Sequence, residues 1–280
     1  MINSESIKTY QGASIFTDEN NLIVSPHKLL RPYIANYTFC NPQNMPEQQA
    51  ILPSVSNTLV YSITNCGIIN GLRGVNTKPT VIGNYAKQFT FIFLVEFHPA
   101  GLYPFIKIEQ NLLRDNSFSF EELSKNINNQ IINAYFISDT VSTLKQKLDH
   151  IFLSNLDSDN INLTVRHTIQ RIITDKGIAR IKELAGEVYY SEKQLNRLFQ
   201  KHIGTNVKTF SNIVRMKHAA HLLKHPINLS ELAEITGHYD SAHFAHDFKN
   251  VYGLTPKEYI CNMSLFYNDP FKLGGYNKNA

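Results

Sequence analysis

Apolar residues along this chain follow two different periods, and the change falls near Phe118. Upstream, Leu59–Thr64 (LVYSIT), Thr80–Gly83 and Phe89–Phe97 (FTFIFLVEF) are short runs of β-branched and aromatic residues. Asn, Gly and Pro bound them, which predicts strands. Downstream, Phe120–Ile137 and Thr140–Leu153 place apolar residues three and four apart, as Val141, Leu144, Leu148, Ile151 and Phe152 do. That spacing predicts two amphipathic helices. A polar stretch at 154–162 (SNLDSDNIN) reads as a linker. Beyond it the pattern predicts seven helices: Leu163–Thr174, Ile181–Val188, Glu192–His202, Val207–Lys224, Leu229–Thr236, Ser241–Val251 and Pro256–Met263. Their short Gly, Pro or Asn connections predict a compact all-α domain.

Within this helical region the sequence repeats itself. Ala185 recurs as Ala233 after 48 residues, while Leu195, Phe199, Gly204 and Phe210 recur as Phe244, Phe248, Gly253 and Tyr259 after 49. Each copy reads helix, tight turn, helix, glycine, and the start of a further helix. The extra residue falls in the second turn, Gly237–Asp240. Ala185 and Ala233 are small enough for two helices to cross closely. Gly237 supplies a residue free to take φ > 0; the first copy has Val188–Tyr190 there and no glycine, which leaves its turn type open. Ser191 with Gln194 three residues on predicts a capping box, and Asp240 predicts a cap for the matching helix. Leu195, Leu198 and Phe199 then share one face, leaving Lys193, Asn196, Arg197, Gln200 and Lys201 outward. Phe244 and Phe248 do the same in the second copy, leaving Ser241, Ala242, His243, His246 and Lys249 outward.

Charge sharpens the picture. The net charge of +4 conceals 11 basic against 13 acidic residues over 1–159, and 14 against 9 over 160–262, where eight of the eleven histidines also lie. A basic C-terminal region behind a mildly acidic one points to nucleic acid for the former. The three cysteines, Cys40, Cys66 and Cys261, are scattered, with neither metal-ligand nor disulfide spacing, which suits a reducing cytoplasm. No apolar run approaches the roughly 18 residues of a membrane span, and Met1–Tyr10 lacks the apolar segment of a secretory signal. A phosphate-binding glycine loop, a nucleophile elbow and a Cys/His pair at useful spacing are all missing. Glu96 and His98 on one strand fall short of a metal set. Tyr85, Phe91, Phe93, Phe97 and Tyr103 fit either an apolar pocket or a core. The stripe on Thr140–Leu153 fits either a dimer contact or packing on the strands.

Ile181, Leu184-Ala185, Ser191, Leu195, Arg197, Phe199, Gly204, Phe210, Arg215, Ala219 and Leu222-Leu223 stand at spacings that resemble the first unit of the AraC/XylS family of bacterial transcription regulators. Leu229, Leu232-Ala233, Gly237, Asp240, Phe244, Phe248-Lys249, Gly253, Thr255-Pro256 and Tyr259 resemble its second unit. His238 departs from the usual Phe and Ile260 from a frequent Arg. Leu52-Pro53-Ser54-Val55, Val81-Ile82-Gly83 and Phe97-His98-Pro99-Ala100-Gly101 resemble an uncharacterised group of sensory domains.

The resemblance implies an α+β chain: a β-rich, barrel-like N-terminal domain with a helical pair over 1–153 for sensing or dimerisation, a linker over 154–162, an all-α DNA-binding domain over 163–262, and a tail over 263–280. The helix-turn-helix units span about 181–202 and 229–251. Their second helices would enter successive major grooves, about one helical turn apart, with Val207–Lys224 as spacer. By position, Lys193, Asn196 and Arg197 in the first helix and Ser241, His243 and His246 in the second would read bases. Gln194, Lys201, Arg215 and Lys249 would touch phosphate or brace the fold. The expected partner is double-stranded DNA in the cytoplasm, with RNA polymerase, a small-molecule effector and a second copy of the chain as further candidates. No cofactor, metal, membrane or catalytic role is expected. The alternatives are a regulator whose N-terminal domain only dimerises and, more remotely, an enzyme fused to a DNA-binding module.

Overall fold

A computed structural model describes residues 2–3, 5–42, 50–81, 88–157 and 160–262. The end of the strand predicted over Thr80–Gly83, the pocket-or-core candidate Tyr85, the end of the last helix at Met263 and the 263–280 tail lie outside them.

The N-terminal part opens with a short helix, α1 (Glu5–Lys8), and the strands β1 (Phe16–Thr17), β2 (Asn21–Val24), β3 (Ile34–Cys40), β4 (Ala50–Ile51), β5 (Thr58–Thr64), β6 (Gly67–Arg73), β7 (Thr80–Val81) and β8 (Phe91–Phe97). Helix α2 (Tyr103–Ile106), a 3-10 turn at Gln110–Leu112, β9 (Ser117–Phe118), α3 (Phe120–Leu123), α4 (Lys125–Phe136) and α5 (Val141–Ser154) follow. Seven strands form one antiparallel sheet in the order β1-β2-β3-β8-β5-β6-β9, and β4 pairs with β7 separately. Among the described residues this sheet is open at β1 and β9, so the expected barrel-like body is a sheet backed by helices.

Alternation along the central strands explains why the helices cover one face. Tyr37 and Phe39 of β3, Leu59 and Tyr61 of β5, and Phe91, Phe93, Val95 and Phe97 of β8 are all buried in one core with Ile131 and Tyr135 of α4 and Leu144, Leu148 and Phe152 of α5. Tyr61 and Phe93 stack at 4.8 Å between ring centroids, and Phe93 stacks on Tyr135 at 6.0 Å. Two buried polar contacts fix the helices in register. Tyr37 donates to Asp149 of α5 (3.1 Å), and Tyr61 donates to Asn128 of α4 (2.9 Å). The aromatic residues that fitted either a pocket or a core, Phe91, Phe93 and Phe97, are therefore core, and the α5 stripe packs on the sheet. The single helix expected over Phe120–Ile137 is two, because Ser124 takes an extended conformation (φ −156°, ψ 81°) between α3 and α4.

The helical part comprises α6 (Leu163–Thr174), α7 (Ile181–Glu187), α8 (Glu192–His202), α9 (Val207–Leu222), α10 (Leu229–Ile235), α11 (Ser241–Tyr252) and α12 (Pro256–Asn262). It holds two cores, and α9 serves both. Its first half contributes Val207, Phe210, Ile213 and Val214 to a core with α6, α7 and α8; its second half contributes Met216, Ala219 and Ala220 to a core with α10, α11 and Tyr259.

The N-terminal part reaches into both cores. Val55 and Val75, brought together by the Ser54–Asn76 bridge, are buried among the residues of the first, and Leu52 packs on the second. Tyr103 meets His202 of α8 edge to face at 4.4 Å, and Lys201 Nζ lies 5.9 Å from the same ring.

Candidate nucleic-acid interface

Each unit is a pair of short helices whose mutual angle is set by its turn. After α7 the chain closes with Tyr190 N–H donating to Ala185 O (3.0 Å), and after α10 with His238 N–H donating to Ala233 O (2.8 Å). Both turns need a left-handed residue at the same place in the repeat. Gly237 takes it at φ +69° without strain. In the first copy Tyr189, 48 residues earlier, takes it at φ +58° with its ring 96% exposed. The turn left open by the sequence is thus the same turn, made by a residue that pays a steric penalty. Ala185 and Ala233 are buried at the crossings.

The second helix of each pair starts on its predicted cap. Ser191 Oγ accepts from Gln194 N–H (3.3 Å), and Gln194 Oε1 accepts from Ser191 N–H (3.0 Å), closing the box. Asp240 accepts from His243 N–H (2.7 Å). Gln194 is therefore a cap residue of α8.

Leu195 and Phe199 bury one face of α8, and Phe244 and Phe248 bury one face of α11. On the opposite face of α8, Lys193, Arg197 and Lys201 are exposed at intervals of four, one stripe of fixed positive charge. Among the described residues Lys193 and Arg197 enter no ion pair, while Lys201 leans on Tyr103. Asn196 differs from the expectation. It is half-buried, and its Oδ1 accepts from Val207 N–H (3.0 Å), which ties the middle of α8 to the start of α9. Its amide oxygen is committed to the scaffold because α9 begins with backbone donors that lack helical partners.

On α11, His243, His246 and Lys249 are exposed and Ser241 is half-buried. Arg215 of α9 is half-buried and donates to Asn212 (2.9 Å) while facing Asp247 at 3.6 Å. Burial lowers its pKa, which Asp247 partly offsets. It braces α9 against α11. His238, where the family's usual residue is Phe, is buried against Phe244 (5.4 Å). Its Nδ1 bonds Thr236 Oγ1 at 2.8 Å, so the polar substitution is housed by a hydroxyl. The residue that sequence reasoning missed is Asp247, on which Arg215, His238, His243 and His246 converge. The four-residue interval from His243 to Asp247 was the available signal.

A family model described as a helix-turn-helix domain matches residues 184–261, which takes in most of the first unit and all of the second. The chain carries an AraC-type helix-turn-helix domain. A second model, described as a domain of unknown function (DUF6597), matches residues 23–119. The lactose operon transcription activator of Staphylococcus xylosus is 27% identical over 148 residues, covering 52% of each chain. An uncharacterized HTH-type transcriptional regulator of Haemophilus influenzae is 33% identical over 111 residues, covering 39% of this chain and 36% of its own. The chain thus spans about half and about a third of these relatives' lengths. Among solved structures, ToxT from Vibrio cholerae aligns with a TM-score of 0.44 at 12% identity, over 78% of this chain and 95% of its own.

Behind the AraC-type domain, the repeat glycines that end α8 and α11 both meet the N-terminal part. A Cβ on Gly204 (φ +101°) would stand 2.7 Å from Gln110 O, and one on Gly253 (φ +72°) would stand 3.1 Å from Pro79 Cγ. In the N-terminal part itself, Glu96 is buried and accepts from Thr58 Oγ1 (2.8 Å). No group of three metal-ligating side chains occurs among the described residues, and no helix there is long and apolar enough to cross a membrane.

Proposed function

We propose that this chain is a one-component transcription regulator that binds duplex DNA through residues 163–262. The observation that carries the reading is the pair of capped helices, α8 and α11, each presenting a polar outer face and each fixed to one end of α9. Base reading by the first unit falls to Lys193 and Arg197, with Arg197 suited to a bidentate guanine contact worth about 1–3 kcal/mol of discrimination. Asn196, Gln194 and Arg215 support the scaffold. In the second unit His243, His246 and Ser241 face the groove, and Lys249 a phosphate. α8 carries most of the base specificity, because its charges are fixed and α11 offers alanines and imidazoles.

The N-terminal part acts as the sensory or dimerising element, with a small-molecule effector, RNA polymerase and a second copy as partners. Support for signal transfer comes from Val55 and Val75, buried in the first helical core, and Leu52, packed against the second, which give the N-terminal part a mechanical hold on each unit.

Selection of bound sequences from random duplexes by the full chain tests the reading, followed by titrations at fixed salt. Arg197→Ala should flatten sequence preference more than His246→Ala. Equal loss from both would sink the assignment of specificity to α8, and failure to enrich any sequence would sink the regulator reading.

A further inference from the structure

The turns that lead into α8 and α11 carry the two most exposed tyrosines among the described residues. Tyr189 is 96% exposed and Tyr239 94%, whereas Tyr190, the next of the described tyrosines, stands at 39%. Elsewhere the chain uses its tyrosine hydroxyls, as Tyr37 does on Asp149 and Tyr61 on Asn128. Among the described residues neither Tyr189 nor Tyr239 has a side-chain partner.

The repeat delivers these two rings by different routes. Tyr190 and His238 are equivalent, since the N–H of each closes its turn on Ala185 O and Ala233 O. Ser191 and Asp240 are equivalent as caps. Tyr239 is therefore the extra residue of the second copy, one place ahead of its cap. Tyr189 stands two places ahead of its own, in the left-handed position (φ +58°) that Gly237 fills in the second copy. A tyrosine thus occupies a conformation open to glycine at no steric cost, with a side chain that packs on nothing. Strained residues of this kind cluster at ligand clamps.

A recognition helix enters the major groove with its N-terminal residues leading, while the helix before it crosses the backbone. The turn between them therefore stands at the phosphate rim of the groove. A phenol O–H is an uncharged donor, and tyrosine is among the side chains that contact phosphate oxygens. Of the acids flanking the two turns, Glu187 pairs with Arg171 (3.1 Å) and Asp240 caps α11, while Glu192 sits in the first turn of α8, where it complements the positive end of that helix. Lys193 and Lys201 of α8 and Lys249 of α11 supply fixed positive charge beside them. We propose that Tyr189 and Tyr239 are a matched pair of phosphate contacts, each donating its hydroxyl to a backbone oxygen beside the groove that its helix enters. They set the register and orientation of the two units on the duplex without reading sequence. This inference rests on the DNA-binding reading above.

Fluorescence-anisotropy titrations of the full chain test this, with the labelled duplex enriched by selection and a shuffled duplex of the same composition. Tyr189→Phe and Tyr239→Phe remove only the hydroxyls. Each should weaken binding about three- to tenfold on both duplexes, and the double variant by the product, roughly 10- to 100-fold. The melting temperature should not move, because both side chains stand in solvent. A phenol neutralises no phosphate, so the slope of log K against log[salt] should keep its wild-type value, while Lys193→Ala should make it shallower by about 0.9. Tyr189→Gly should bind more weakly than the wild type while melting higher, a pairing that a merely structural tyrosine would not give. Wild-type affinity in the double Phe variant, a loss confined to the enriched duplex, or a changed salt slope would overturn the proposal while leaving DNA binding in place. Absence of salt-sensitive binding by the wild type would overturn both.

Discussion

Gly204 is a demanding position where α8 meets the N-terminal part, and Gly204→Ala isolates why. The residue ends α8 at φ +101°, outside the range open to L-residues, and an added methyl would stand 2.7 Å from the backbone carbonyl of Gln110. The dihedral costs about 1–2 kcal/mol. The collision adds about 1–3 kcal/mol, because a carbonyl in the 3-10 turn cannot rotate aside as a side-chain tip does. A total of about 2–5 kcal/mol should lower Tm by roughly 5–15 °C for a chain of this size. Gly253→Ala is the internal control. It shares the repeat position and a positive φ of +72°, but its methyl meets Pro79 Cγ at 3.1 Å, a ring edge that yields by a few tenths of an ångström. The variant should cost about 1 kcal/mol. Differential scanning calorimetry on the two variants checks the ranking. If Gly204→Ala melts at or above the temperature of Gly253→Ala, the contact between α8 and the Gln110 turn is not the constraint described.

Two further outcomes follow from named residues. Tyr189→Gly should stabilise by about 0.5–1 kcal/mol, because relief of the left-handed strain exceeds the added chain entropy and the ring buries almost nothing; a chemical-denaturation midpoint that falls instead would place stabilising contacts on that ring. His202 is buried beside Tyr103 with its pKa lowered to about 4, chiefly by burial and then by Lys201. A depressed folded value means that its contribution is complete above the unfolded value of about 6.5 and is lost as pH falls from there towards 4. His202→Gln should therefore flatten the decline in Tm between about pH 6.5 and 4.5, and a decline of unchanged steepness would assign it to other groups.

The helical part was legible because its signals are local. Caps at Ser191 and Asp240, and apolar pairs such as Leu195 with Phe199, act within one or two turns, so helix ends fell within a few residues of expectation. The turn at Tyr189 was not legible, since tyrosine gives no hint of a left-handed conformation that the repeat forces on it. Asn196 was assigned to the groove from its place on the polar face, but a neighbouring helix start captured its amide oxygen, a tertiary event. In the N-terminal part, β3 and β6 escaped notice. Asn36 and Thr38 interrupt the apolar run of one, and Gly67, Asn70 and Gly71 dilute the other, so only pairing to β8 and β5 identifies them. That the sheet stays open at β1 and β9, like the break at Ser124, depends on long-range packing that periodicity does not encode.

The seating of Val55 and Val75 within the first helical core has a bearing on how such chains can be recombined. Two halves that share a core are not interchangeable parts joined by a tether. Cutting at the linker would leave a cleft lined by apolar side chains in the downstream fragment, and a chimera with a foreign upstream half would have to supply two side chains of the right size at that spot. The length of the connecting peptide would matter less than that fit, and descendants of such an exchange would be expected to adapt first at the seat and only afterwards in the DNA-facing helices.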